Sequence, residues 1–211
     1  MKFDDHSIAA LPQRYRANLI NSLPGYKPAV LVGTADQARA TNLAIISSAF
    51  HLGSQPPLIG MIIRPDSAEG PHHTLRNLLD TGCYTLNSVD EQLIPRAHQT
   101  SARFAREQSE FDHCGIDAQW RENFNAPFVR DAAIQIGCEL RQHQYLDINR
   151  THLIIGEIVT LEIEDHAIRE DGSVDLVALG MACVTGLDSY HTVKEGVRLA
   201  YAKSNHAAQL A

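Results

Sequence analysis

The chain lacks an apolar run of membrane-spanning length, an excess of basic residues, paired cysteine motifs and a glycine-rich phosphate loop. Each shortage removes a class of function. Without a long apolar stretch no membrane segment is expected. A formal charge of -7, from 25 acidic and 18 basic residues, repels a nucleic-acid backbone, so nucleic-acid binding is not expected and any affinity for phosphate must be local to one site. Cys83, Cys114, Cys138 and Cys183 form no Cys-x-x-Cys, and three of them stand in apolar, strand-like surroundings, the pattern of reduced core thiols. None of the 11 histidines forms an i, i+4 pair around a central Glu, and the adjacent His72-His73 would point to opposite sides of an extended chain, so no metal site is expected. No Gly-x-Gly-x-x-Gly joins a strand to a helix, which removes the usual stable dinucleotide site. Two acids, Asp4 and Asp5, stand where a secretory signal places basic residues, and the expected location is cytoplasmic.

What is present points to one β-rich domain. At 211 residues, 44% of them hydrophobic, the chain can bury a single sizeable core. The most informative stretch is residues 41–65, which reads strand, loop, strand. Leu43, Ile45 and Ser47 alternate with Asn42, Ala44, Ile46 and Ser48, the period of a pleated strand. Residues 49–57 hold Gly53 and Pro56-Pro57 and read as a loop that keeps its shape without a ladder. The return arm from Leu58 is apolar almost throughout, as in a strand buried on both faces, and stops at Arg64-Pro65. Downstream, Pro71-His72-His73-Thr74-Leu75-Arg76-Asn77-Leu78-Leu79 reads as a loop and a short helix, with Thr74 as N-cap and Leu75, Leu78 and Leu79 on one face. Ser47, Ser48, Arg64, His73 and Thr74, with the amides of a helix start, supply the hydroxyls, the cation and the donors that a phosphate needs.

The order of these residues resembles the flavin reductase-like family. The resemblance rests on Thr41-Asn42-Leu43-Ala44, Ser47-Ser48, Pro56-Pro57-Leu58, Arg64-Pro65, His73-Thr74 and Asn77-Leu78. Weaker support comes from the segment around His98, from Phe128-Val129 and Ile155-Gly156, and from Gly186-Leu187-Asp188-Ser189-Tyr190-His191-Thr192. It covers roughly residues 20–203 and implies a mainly β fold with peripheral helices, an FMN-binding split β-barrel, as one domain over residues 1–211. It also implies FMN as cofactor, NADH or NADPH as a transient electron donor, and a homodimer with the flavin near the subunit interface, where the Tyr190-His191 segment could reach the neighbouring flavin.

By that resemblance the cofactor-binding residues are Asn42, Ser47, Ser48, Ala49, Arg64, His73, Thr74 and Asn77. Asn42 has the donors and acceptors to read the flavin pyrimidine edge, and Ala49 would contribute its backbone. Asn77 reads first as a brace for its helix. His98 and His191 are the substrate-side candidates, because imidazole moves protons near neutral pH. No catalytic residue is named, since a flavin ring itself accepts hydride. Two other readings stand beside the reductase: a flavin carrier or sensor without turnover, and a haem-binding split barrel with His98 or His191 as axial ligand.

Elsewhere, residues 7–20 show near-helical spacing limited by Pro12, and residues 29–34 read as the first barrel strand. Residues 83–89, 132–142 and 151–164 read as strands, with a bulge at Gly156. Residues 90–111 read as helix divided by Pro95, and residues 113–127, with Trp120, as an irregular excursion. Residues 174–179 and 183–187 read as closing strands after the Asp171-Gly172 turn.

Overall fold

Period-two patterns in the sequence become antiparallel ladders in a computed structural model that describes residues 1–65 and 73–210. The central sheet has seven strands in the order β3-β2-β6-β9-β10-β5-β4. These are β2 (Val30–Ala35), β3 (Thr41–Ile46), β4 (Phe50–Ser54), β5 (Pro57–Ile63), β6 (Cys83–Ser88), β9 (Ile134–Leu146) and β10 (Thr151–Ile163). A three-stranded sheet joins β1 (Lys27–Pro28), β11 (Ala182–Thr185) and β12 (Ser189–Thr192), and a separate hairpin pairs β7 (Ala118–Arg121) with β8 (Phe124–Val129). The helices α1 (Asp5–Ala10), α2 (Gln13–Ser22), α3 (His73–Thr81), α4 (Ile94–Gln99) and α5 (Glu110–His113) lie around these sheets.

The central sheet curls on itself. Beyond the end of β3, the Ser48 hydroxyl donates to the Ile62 carbonyl at 2.7 Å and accepts from the Ile62 amide at 3.3 Å, joining strands well separated in the sheet order. One core cluster lies between β3, α4, α5 and β11 (Ala29, Leu31, Leu43, Leu93, Ala97, Phe111); the other lies beneath α3 (Met61, Leu75, Leu78, Tyr84, Ile154). Tyr84 fits only because β10 has Gly156 there, where a Cβ would lie 2.1 Å from the phenol oxygen. The ladder between β9 and β10 shifts register at Ile155/Gly156, the bulge that the sequence reading places there.

Several expectations need correction. Residues 50–54 are strand β4, which hydrogen-bonds to β5, so the loop after residue 49 does have a ladder. The alternation is hidden because Pro56 and Pro57 mark a tight hairpin turn rather than a long loop. Thr74 is inside α3 rather than capping it, and Leu79 is 41% exposed; Pro71 and His72 lie outside the described residues. The 113–127 excursion contains α5's end and most of the β7–β8 hairpin. Residues 174–179 form one bridge, Val174 to Ile168, followed by a turn, while the last strand is β12.

As an end strand, β3 has an edge with no neighbouring strand, and backbone groups there must find other partners. Side chains of the 94–113 segment supply them. The Leu43 amide donates to Glu110 Oε2 at 2.9 Å, the Ile45 amide to Thr100 Oγ1 at 2.9 Å, and the Thr41 and Ser109 hydroxyls pair at 2.6 Å. Burial raises the Glu110 carboxyl above its ordinary value of 4.5, against the lowering effect of the Leu43 amide.

Two substitutions probe this packing. Gly33 lies against the β8 backbone, where a Cβ would sit 2.2 Å from the Pro127 carbonyl oxygen; Gly33→Ala is expected to cost about 1–3 kcal/mol in urea unfolding, and a loss near zero would show that β8 is not seated there. For Glu110, the raised carboxyl means that the native state binds more protons than the unfolded chain, so its contribution to stability declines as pH rises from the unfolded value through the folded one. Glu110→Gln keeps an acceptor without the charge and should gain relative to wild type as pH rises from about 4, near the unfolded carboxyl's value, to about 7. Glu110→Ala strands the Leu43 amide at a cost of about 1–3 kcal/mol. A pH-independent difference between Gln and wild type would contradict this.

Candidate functional site

The predicted residues fall into two groups set by the length of β3. Asn42 is near its start, where its Nδ2 donates to Thr74 Oγ1 at 2.9 Å and to Thr34 Oγ1 at 3.3 Å. Asn77 Nδ2 donates to the same Thr34 oxygen at 3.2 Å, and Asn77 Oδ1 is buried with no partner among the described residues. Asn42, Thr74, Asn77 and Thr34 are all buried, so this group is an interior network tying α3 to β2 and β3. His73 is half-buried at the start of α3 beside it.

Ser47, Ser48 and Ala49, all half-buried, follow the far end of β3, about 15 Å away at ~3.3 Å per residue. Ser48 is the barrel-closing hydroxyl, whereas the Ser47 hydroxyl has no hydrogen-bond partner among the described residues. Arg64 follows β5 by one residue and is exposed. It thus shares with Ser48 the region of the Ser48–Ile62 closure.

Beside Arg64 is a cation that the sequence reading missed. Lys27, in β1, donates from Nζ to the Gly186 carbonyl at 2.8 Å. Burial, and secondarily the Arg64 guanidinium, hold its ammonium below the ordinary lysine range. Neither cation is ion-paired to a carboxylate among the described residues. Two positive charges close enough to interact, one of them partly desolvated, form an arrangement that an anion would relieve. Tyr26-Lys27-Pro28 carries only turn signals, and nothing local in sequence reveals that Lys27 comes within electrostatic reach of Arg64.

His98 and His191 take up opposite sides of β12. His98 Nδ1 is 3.1 Å from the Tyr190 hydroxyl, with the rings edge to face. His191 Nε2 is 2.9 Å from Thr185 Oγ1, and its ring meets Tyr26 edge to face at 5.1 Å. Burial, then the Asp188 carboxylate, raise the Tyr190 phenol, so it keeps its proton at neutral pH. Two hollows, of about 270 Å³ around Cys83, Phe124 and Arg141 and about 260 Å³ around Asp90, Arg96 and Asp131, contain none of the predicted site residues. Among the described residues no group of three or more His, Cys, Asp or Glu could hold a metal, and no helix is long and apolar enough to cross a membrane.

The flavin reductase like domain family matches residues 25–181, three quarters of the chain. The chain belongs to the flavin reductase-like family. A split-barrel protein of Shewanella frigidimarina, provisionally a flavin reductase, is 45% identical, superposes with a TM-score of 0.91, and is covered over 100% of its length by 96% of this chain. Nitrilotriacetate monooxygenase component B from Bacillus cereus is 20% identical at a TM-score of 0.83, over 94% of this chain and 98% of its own. An FMN-binding protein from Thermus thermophilus is 17% identical at a TM-score of 0.68, over 84% of this chain and 90% of its own. The fold is accordingly a mainly β split barrel, as the family resemblance implies, and the family's chemistry is flavin-related oxidoreduction. The matched segment holds Lys27 and every predicted residue except His191, which lies beyond it with Tyr190.

The interior network gives a prediction independent of any ligand. Asn42→Ala leaves the Thr74 hydroxyl without its amide donor, and the Thr34 hydroxyl with that of Asn77 alone, and is expected to lower stability by about 1–3 kcal/mol. Chemical denaturation measures it, and a stability equal to wild type would mean that the network does not hold α3 in place.

Proposed function

We propose that this protein is an FMN-dependent oxidoreductase that takes hydride from NADH or NADPH and passes the electrons to free flavin or another acceptor. The observation that carries this reading is that two cations, Lys27 and Arg64, interact near the end of the barrel wall, where Ser48, next to Ser47, closes onto Ile62, two residues before Arg64, in a chain of the flavin reductase-like family. The donor set fits FMN: two cations and a hydroxyl for the phosphate, and the backbone of residues 47–49 for the ring edge. FMN would supply the hydride-accepting ring. Lys27 and Arg64 hold the anionic end, Ser47 and the Ala49 backbone orient the remainder of the cofactor, and Ser48, Asn42, Thr74 and Asn77 keep the strand and helix that carry them in place.

The same reading includes a homodimer. Phe50, Leu52, Val159 and Leu161 on β4 and β10 are each more than 40% exposed, an apolar surface that a second copy would cover. Four free thiols fit a reducing, cytoplasmic setting.

Purified protein, or protein given FMN, should show bound flavin absorbance that bleaches on anaerobic addition of NADH or NADPH. The double variant Lys27→Ala/Arg64→Ala should weaken FMN by about tenfold or more (roughly 1.4 kcal/mol) and leave riboflavin, which has no phosphate, within about twofold. Failure to bind FMN would defeat the reading, equal losses for FMN and riboflavin would remove the cation pair from it, and binding without bleaching would leave a flavin carrier.

A further inference from the structure

The three-stranded sheet aligns two features that the residue patterns leave apart. Lys27 pairs with Val184 and Val184 pairs with Tyr190, so the three occupy one row across β1, β11 and β12. Directly opposed residues share a face. The row therefore sets the Lys27–Arg64 cations at one end and the Tyr190 phenol at the other, two strand spacings or about 10 Å apart. A ribityl chain separates a phosphate from a flavin ring by a comparable reach.

Tyr190 packs on the core cluster that contains Ala29, Leu43, Leu93 and Ala97, and α4 brings His98 to its hydroxyl at 3.1 Å. Tyr190 is half-buried while His98 is exposed. A protonated phenol at the inner end of a two-residue chain, with an imidazole open to water at the outer end, has the connectivity of a proton relay.

The geometry points to Tyr190, recharged through His98, as the proton donor at the reactive end of the site whose anionic end is Lys27 and Arg64. The inference rests on the FMN reading. A hydride from the nicotinamide donor brings two electrons and one hydrogen, oxidising the donor and leaving the reduced acceptor one proton short. Tyr190 Oη–H supplies it: that O–H bond breaks as an N–H bond forms on the acceptor. The phenolate then takes the proton on His98 Nδ1, and His98 takes one from water at Nε2. Tyrosine ends unchanged, His98 ends as its Nε2–H tautomer and returns to the Nδ1–H form by proton exchange with water, and the net proton comes from solvent. Tyr190 is the catalytic residue in this scheme and His98 its positioning and recharging partner.

The test pairs anaerobic stopped-flow with NMR of protein labelled at its histidines with nitrogen-15. Tyr190→Phe keeps the ring and removes the hydroxyl. It should bind FMN within about threefold of wild type but slow single-turnover bleaching by about 100-fold, and lose most of the solvent deuterium isotope effect on that step. FMN addition should shift the His98 ring resonances in wild type, and Tyr190→Phe should shift them in the flavin-free protein. His98→Asn should slow the same step by a smaller factor with unchanged FMN affinity. If FMN binds while the His98 resonances stay fixed and Tyr190→Phe bleaches at the wild-type rate, the relay is overturned and the FMN reading stands. If FMN does not bind, both fall.

Discussion

An end strand whose free edge is finished by side chains is the constraint on which the rest of this structure depends. β3 pairs with β2 on one side only. On the other, Glu110 and Thr100 accept from the Leu43 and Ile45 amides, as a neighbouring strand would. That solves two physical problems at once. It satisfies backbone donors that would otherwise be stranded beside the core, and it closes the edge to pairing with another chain. It also docks α4 and α5 on the strand, which places His98 near Tyr190. Past the last paired residue, Ser48 turns the same strand onto β5 and brings the end of the barrel wall near Arg64.

Charge is distributed in keeping with this arrangement. The protein carries a net -7, yet Lys27 and Arg64 are close enough to depress the lysine. Like charges that approach one another cost folding free energy, a cost that an anionic ligand would offset. The buried Asn42–Thr34–Thr74–Asn77 network has a different character: its groups are inside and mostly satisfied by one another. It fixes α3 on the sheet, and so belongs to the framework of the site.

Much of the fold is legible in the amino acids. The long strands β9 and β10, the β2–β3 pair and the Gly156 bulge follow from alternation and from a glycine in an apolar run. Short elements are harder. β4 and the β7–β8 hairpin contain few residues each, and proline, asparagine and glycine within or beside them give turn signals that outweigh a brief alternation. In the candidate site, residue types point to Arg64, the serines and the histidines. They cannot show that Thr74 faces Asn42 across a strand's length from Ser48, or that Lys27 and Tyr190 occupy one row of a small sheet, because register between distant strands is a property of the folded ladder. The segment matched by the family ends at residue 181, so the row that Tyr190 completes is visible only in the folded chain.

The most direct measurement is amide hydrogen exchange by NMR, with and without FMN. The Leu43 and Ile45 amides should exchange as slowly as those of β2 in both states, and the amides of residues 47–49 should gain protection when FMN is added. Fast exchange at Leu43 and Ile45, or FMN protection confined to regions remote from residues 47–49 and Arg64, would contradict the account.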